Sequence, residues 1–109
     1  TYTDPALAHV GKSVRDLKEE GVSFETTRLE LDDLPRNIVT GRQRGLLKLF
    51  HEPGQGKLLG AQALGDDADE WFGPAVLACR CGLTVRQLGD TIFSYPTRTE
   101  ALRIAARRA

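Results

Sequence analysis

The sequence predicts an α+β fold, an antiparallel β-sheet with helices packed on it, and three observations carry that reading. Strand-like stretches fill the first half of the chain and helix-periodic ones the second, without the alternation of a βαβ protein. Two apolar runs, 46–50 and 58–64, bracket Glu52-Pro53-Gly54-Gln55-Gly56-Lys57, which has the composition of a hairpin turn. Ala68, Trp71, Phe72, Ala75, Val76 and Cys79 then recur at helical spacing. A chain of 109 residues suits a single domain over 1–109.

The elements follow in order. Residues 1–10 read as extended. Ser13 with Asp16 three residues later marks a helix start, and Gly21 ends that short helix, which carries Val14 and Leu17 on one face. Residues 22–31 are rich in Val, Phe, Thr and Leu and read as a strand. Their apolar parity changes between Val22/Phe24 and Leu29/Leu31, which predicts a bulge or a passage between two environments. Residues 32–45 form a polar connection with Pro35 and Gly41. In the second hairpin strand, Gly60-Ala61 predicts close approach of another backbone. Gly73-Pro74 interrupts the following helix, which kinks or restarts with Pro74 in its first turn, and Gly82 ends it. Thr84 caps a short helix through Leu88, and a last helix runs from about Arg98.

Composition narrows the function classes. Fifteen basic and fifteen acidic side chains cancel, which argues against nucleic acid or an anionic membrane as main partner. No apolar run approaches the roughly 18–20 residues of a membrane span. The chain opens Thr1-Tyr2-Thr3-Asp4-Pro5 without an initiator Met and reads as a fragment of something longer. Cys79 and Cys81 are the only cysteines; at i and i+2 of a helix they point about 200° apart and do not face each other. Cys79 reads as a small core side chain and Cys81 as a residue near a helix end. Reduced cysteines and no targeting segment favour the cytoplasm.

Few residues suggest chemistry of their own. Gly54-Gln55-Gly56 with Gly60 misses the G-x-G-x-x-G spacing and leads into a strand, so it reads as a turn. His9 and His51 read as solvated or locally bonded, and no cluster has metal-ligand spacing. Asp66, Asp67, Asp69 and Glu70 read as acids complementing a helix dipole.

Ser94-Tyr95-Pro96-Thr97-Arg98-Thr99-Glu100 differs from these. Pro96 pushes Tyr95 away from helical geometry, and Thr97 with Glu100 forms a T-x-x-E capping box. Tyr95 thus stands at an extended corner before a firmly started helix, either packing locally or displayed to something outside its own core.

The order of motifs resembles the C-terminal dimerisation (interface) domain of the flavin-dependent pyridine nucleotide-disulfide oxidoreductases, in the mercuric-reductase-like or dihydrolipoamide-dehydrogenase-like branch. Thr3-Asp4-Pro5 with Ala8-His9-Val10-Gly11 is similar to the F-T-D-P…A-x-V-G opening, and Gly45-Leu46-Leu47-Lys48-Leu49 to the G-F-x-K-L strand. Leu58-Leu59-Gly60-Ala61 resembles I-L-G-A, and Gly65, Ala68 and Glu70 resemble G-x-x-A-x-E. Leu83-Thr84-Val85 with Leu88 resembles L-T-V-x-x-L, and Tyr95-Pro96-Thr97 with Glu100 matches H-P-T-x-x-E in all but its first residue. The match spans essentially the whole chain.

This resemblance implies a homodimer, with FAD and NAD(P)H held by flavin and nicotinamide domains of a longer parent and no cofactor in this fragment. In the family the histidine of H-P-T-x-x-E enters the partner's active site as acid/base for the redox thiols, oriented by the glutamate. By position those roles fall on Tyr95 and Glu100, acting in trans, with Pro96 near the partner's flavin. A phenol of pKa about 10 accepts a proton poorly near pH 7, where an imidazole at about 6.5 accepts one well. Tyrosine can still donate a hydrogen bond, ligate a metal as phenolate or wall a pocket. Full mercuric reductases end in a vicinal cysteine pair, where this chain has Arg107-Arg108-Ala109. Two other readings stay open: a free-standing dimerisation or protein-binding module without redox chemistry, and an enzyme using Tyr95 and Glu100 in a pocket of its own. A G-x-G-x-x-G fingerprint and a C-x4-C pair upstream of Thr1 would separate them.

Overall fold

The computed structural model describes residues 6–31, 45–91 and 97–109. Four strands, β1 (Ala6–Gly11), β2 (Glu25–Glu30), β3 (Gly45–His51) and β4 (Leu58–Gly65), form one antiparallel sheet in the order β1-β4-β3-β2. Helix α1 (Val14–Glu19) joins the first two strands. Helices α2 (Ala68–Trp71), α3 (Gly73–Cys81), α4 (Val85–Gly89) and α5 (Glu100–Arg107) follow the sheet. This is the predicted α+β antiparallel architecture.

Register sorts the side chains. Ala8, Ala63, Leu47 and Leu29 form one cross-strand row, and Val10, Ala61, Leu49 and Thr27 the next, on the same face. The hydrophobic core collects there: α2 and α3 lie over β1 and β4, and α5 lies over β2 and β3. Small residues Ala61, Ala63, Ala75, Ala101 and Ala105 are fully buried and let helices approach the sheet closely. The opposite face carries a polar row, His9, Gln62, Lys48 and Arg28, and an apolar row, Leu7, Leu64 and Leu46. Leu7 and Leu64 are exposed.

The turn that reads as a hairpin is one, closed by Glu52 N–H donating to the Lys57 carbonyl at 2.9 Å. The predicted close approach at Gly60 is also present. A Cβ there would stand 2.0 Å from the Lys12 carbonyl oxygen, so any side chain would push β1 and α1 off the sheet. Gly45 opens β3 at φ +139°, and a Cβ would meet the Leu64 carbonyl oxygen at 2.4 Å.

Two expectations need correction. Residues 22–31 contain no bulge: β2 pairs with β3 in unbroken register from Glu25 to Glu30, and the register shift falls between Phe50 and His51 against β4. The parity change arises because Val22 and Phe24 precede the strand, with the Phe24 ring edge-on to Phe50 at 6.5 Å. The apolar stripe of the long helix also divides. Ala68, Trp71, Phe72 and Ala75 are buried, but Val76 is 44% exposed and Ala78 is buried instead. The break before Pro74 starts a separate helix with its own phase. Residues 1–5 and the connection at 32–44 lie outside the described residues.

Candidate functional site

Tyr95 and Pro96 lie outside the described residues; Thr97 and Glu100 lie within them. Thr97 N–H donates to Glu100 Oε1 at 2.9 Å, so the glutamate half of the capping box is present. Regular helix begins later than the motif predicts. The N-cap is Thr99, with helical φ −58° and ψ −29° and no side-chain cap bond. Ahead of it, Ala101 N–H reaches the Arg98 carbonyl at 3.0 Å and Leu102 N–H the Thr99 carbonyl at 3.1 Å, a tight first turn. The helix is then seated by Ala101, Leu102, Ala105 and Ala106, all buried. Glu100 is therefore a carboxylate fixed by backbone at the root of a well-anchored helix.

The corner is also tied to the start of α2. Arg98 Nη1 lies 3.3 Å from Asp67 Oδ2, with the arginine side chain 13% exposed and the aspartate 53%. Asp67, Glu70, Trp71, Thr97, Arg98 and Thr99 line a recess of about 300 Å³. Trp71 forms its wall and is held by Nε1–H donating to the Asp66 carbonyl at 3.0 Å. The acids 66–70 do not act alike: Asp69 and Glu70 occupy the first turn of α2, whereas the Asp67 side chain faces Arg98. Nothing in the sequence spacing signals that pair.

The remaining candidates are structural. His51 is buried, its Nε2 2.8 Å from Thr27 Oγ1 and its Nδ1 2.9 Å from the Glu52 carbonyl, so it is locally bonded and not solvated. His9 is exposed, with Nε2 3.1 Å from the Gly11 carbonyl. Both cysteines are free. Cys79 is half-buried, and loss of solvation pushes its thiol up to about 11, far from the reactive thiolate range. Cys81 is exposed as the last residue of α3. Among the described residues no group of three metal-ligating side chains comes together, and no helix is long and apolar enough to cross a membrane.

Besides Leu7 and Leu64, two large apolar side chains of α3 are exposed. Leu77 is 59% exposed beside a groove of about 370 Å³ that runs between α3 and α4, lined by Pro74, Leu77, Ala78, Leu83 and Leu88. With Val76, which the sequence pattern placed in the helical stripe, it gives α3 an outward apolar face.

In class, this is the fold of a flavoprotein disulfide reductase domain. It superposes on the disulfide reductase RclA of Escherichia coli, solved as a Cu(II) complex, with a TM-score of 0.88 at 28% identity, over 96% of this chain and 24% of that one. For LpdA of Mycobacterium tuberculosis the TM-score is 0.89 at 27% identity, over 98% and 23%. Over residues 1–106 the chain matches, and belongs to, the pyridine nucleotide-disulphide oxidoreductase dimerisation domain family. It is 43% identical over 107 residues to a mercuric reductase of Streptomyces lividans, covering 98% of this chain and 23% of that protein. A mercuric reductase of Shigella flexneri is 39% identical over 106 residues, covering 97% and 19%. The chain thus spans about a fifth of the length of these relatives.

Proposed function

We propose that residues 1–109 are the homodimerising domain of a longer, cytoplasmic flavoprotein reductase and contribute Tyr95 and Glu100 to the active site of the second subunit. The observation that carries this is the Tyr95-Pro96-Thr97-x-x-Glu100 sequence, set in a chain 43% identical to a mercuric reductase across nearly its whole length. The Thr97–Glu100 bond supports it, because the carboxylate is anchored at the motif's own backbone. Glu100 then serves as positioning acid. The Tyr95 phenol donates a hydrogen bond to substrate or to a reacting sulfur, or walls the substrate pocket.

FAD and NAD(P)H belong to the other domains of the parent. The glycine-bearing segment 54–56 is a hairpin turn leading into β4, not the loop-to-helix turn of a dinucleotide fingerprint. Pro96 is assigned a place beside the partner's flavin. The exposed Val76 and Leu77 of α3 are assigned to the second copy, where a twofold axis makes their contacts reciprocal.

The test uses the full-length protein. Tyr95→Phe should lower turnover on the order of tenfold or more while flavin reduction by nicotinamide keeps its rate. Unchanged turnover would leave Tyr95 as packing. Leu77→Glu should shift the sedimenting species from dimer toward monomer; a strict wild-type monomer, with no interface of about 1,000 Å², would defeat the dimer reading.

A further inference from the structure

The outer face of the sheet, away from the core helices, divides into three zones. At one end Phe50 and Gly60 are buried, with the Phe24 ring edge-on to Phe50 and the Lys12 backbone against Gly60. In the middle runs the row His9, Gln62, Lys48 and Arg28, polar as a sheet face in water should be. The third zone breaks that rule. Leu7, Leu64 and Leu46 stand opposite one another on β1, β4 and β3, and the row turns polar only at Glu30 of β2. Leu7 and Leu64 are among the large hydrophobics left exposed in the described residues. Single exposed leucines are ordinary, but three in register across adjacent strands make a contiguous strip of the kind that meets another surface.

Two occupants compete for it. A second copy seated on Val76 and Leu77 meets α3, and α3 packs on the core face, whereas the leucine row is on the opposite face. The other occupant is the rest of the parent. The chain covers only 23% and 19% of two mercuric reductases, so a parent of that kind has most of its mass elsewhere. Thr1 stands six positions before Leu7, a stretch of at most about 20 Å. A domain that precedes Thr1 is therefore held beside Leu7, the first of the three leucines, whatever its orientation. Tethering raises the local concentration of that one partner, so a modest apolar strip suffices to hold it.

We infer that the Leu7–Leu64–Leu46 row seats the domain that precedes this one in the same parent chain, through an apolar surface of that domain. The inference rests on the reading of these residues as the C-terminal, dimerising domain of a longer reductase, and it adds an intrachain seam to the seam between copies. The two seams meet. A recess of about 360 Å³ lies along the edge strand β1, lined by Leu7 and His9 on the strand and by Asp69, Phe72, Gly73 and Val76 on the helical side. Leu7 belongs to the intrachain seat and Val76 to the face assigned to the second copy. Docking of the preceding domain thus shapes one wall of the space into which the second copy closes.

The experiment takes the full-length protein with Leu64→Cys and, separately, Leu46→Cys. Modification by N-ethylmaleimide is timed at each position by peptide mass spectrometry, which keeps it apart from Cys79 and Cys81. A thiol closed in apolar surroundings reacts slowly, so both positions should react about tenfold slower or more in the native protein than in urea. A native rate at position 64 close to the rate in urea would mean that water covers the row, and overturns the seat. The monomeric form, reached with Leu77→Glu or by dilution, then separates the occupants. Position 64 should stay slow there; if it turns fast on dissociation, the second copy covers the row and the inference is overturned. A wild type that is already monomeric defeats the dimer reading alone, and slow modification at 64 would still uphold the seat. Hydroxyl-radical footprinting of wild-type Leu7 and Leu64 serves where a variant does not fold. Oxidation slowed about tenfold or more against the unfolded chain supports the seat, and oxidation at the unfolded rate overturns it.

Discussion

Apart from α3, which restarts at Pro74, the described helices begin in two different ways. At α1 and α4 the start is local: Ser13 with Asp16, and Thr84 with Gln87, form complete capping boxes, each within four consecutive residues. At α2 and α5 the N-cap side chain makes no cap bond, and the two starts are joined to each other through Asp67 and Arg98. A local cap satisfies the first N–H groups wherever the segment happens to be. A start tied to another start is correctly formed only once the tertiary fold has brought both together. The first kind makes a dependable scaffold; the second couples the start of α5 to the end of the sheet.

The largest effect should come from removing what both modes depend on. Leu102→Ala takes a fully buried side chain from the seat of α5 and should destabilise by about 2–5 kcal/mol in equilibrium unfolding. A tolerant α5 would show that its position is set by the Arg98 tie alone. Next come the caps. Thr84→Ala and Ser13→Ala should each cost about 1 kcal/mol, whereas Thr99→Ala, at an N-cap without a side-chain bond, should stay within about 0.5 kcal/mol. Equal costs at Thr84 and Thr99 would erase the distinction between the two kinds of start.

The smallest effect is a pH dependence. The Ser13 backbone N–H, and then its hydroxyl, hold the exposed Asp16 carboxyl below its ordinary value of 3.8. A depressed carboxyl contributes stability that is complete above the unfolded value and is lost as pH falls through the lower folded one. Wild type should therefore exceed Asp16→Asn in stability at pH 6, with the gap closing at pH values below 3.8. Thermal unfolding of both proteins across that range checks it; a gap that persists at the acid end would mean the box does not act through the charge.

The same division explains what could be read before the structure. Capping boxes, the 52–57 turn and the restart at Pro74 are short-range, and each leaves a residue-type signature at fixed spacing; the close approach at Gly60 is to the distant Lys12, but it is written in a single residue type. The family resemblance at the Tyr95 corner was legible for the same reason. The Asp67–Arg98 pair was not, because an acid before a helix looks like a dipole complement wherever its side chain goes. Val76 counted as core because the stripe was continued through Gly73-Pro74, although a restarted helix need not keep the phase of the one before it. Of the two readings left open for His51, solvated or locally bonded, the second holds, because a threonine on the neighbouring strand and the Glu52 carbonyl satisfy both ring nitrogens inside.

The strand order carries a consequence for biosynthesis. β1 leaves the ribosome before the other described strands, yet among them its only sheet partner is β4, the last of the four to be made. The β3–β4 hairpin is local and can pair as soon as it emerges. Until β1 swings in, β4 offers a bare hydrogen-bonding edge to any neighbouring nascent chain. The turn after β1 is what shuts that edge, with Lys12 N–H on the Leu59 carbonyl and the Lys12 carbonyl against the bare Cα of Gly60. A bulkier residue at position 60 would leave the latch half closed, and the harm would show in the yield of correctly folded chain more than in the chemistry of the finished protein.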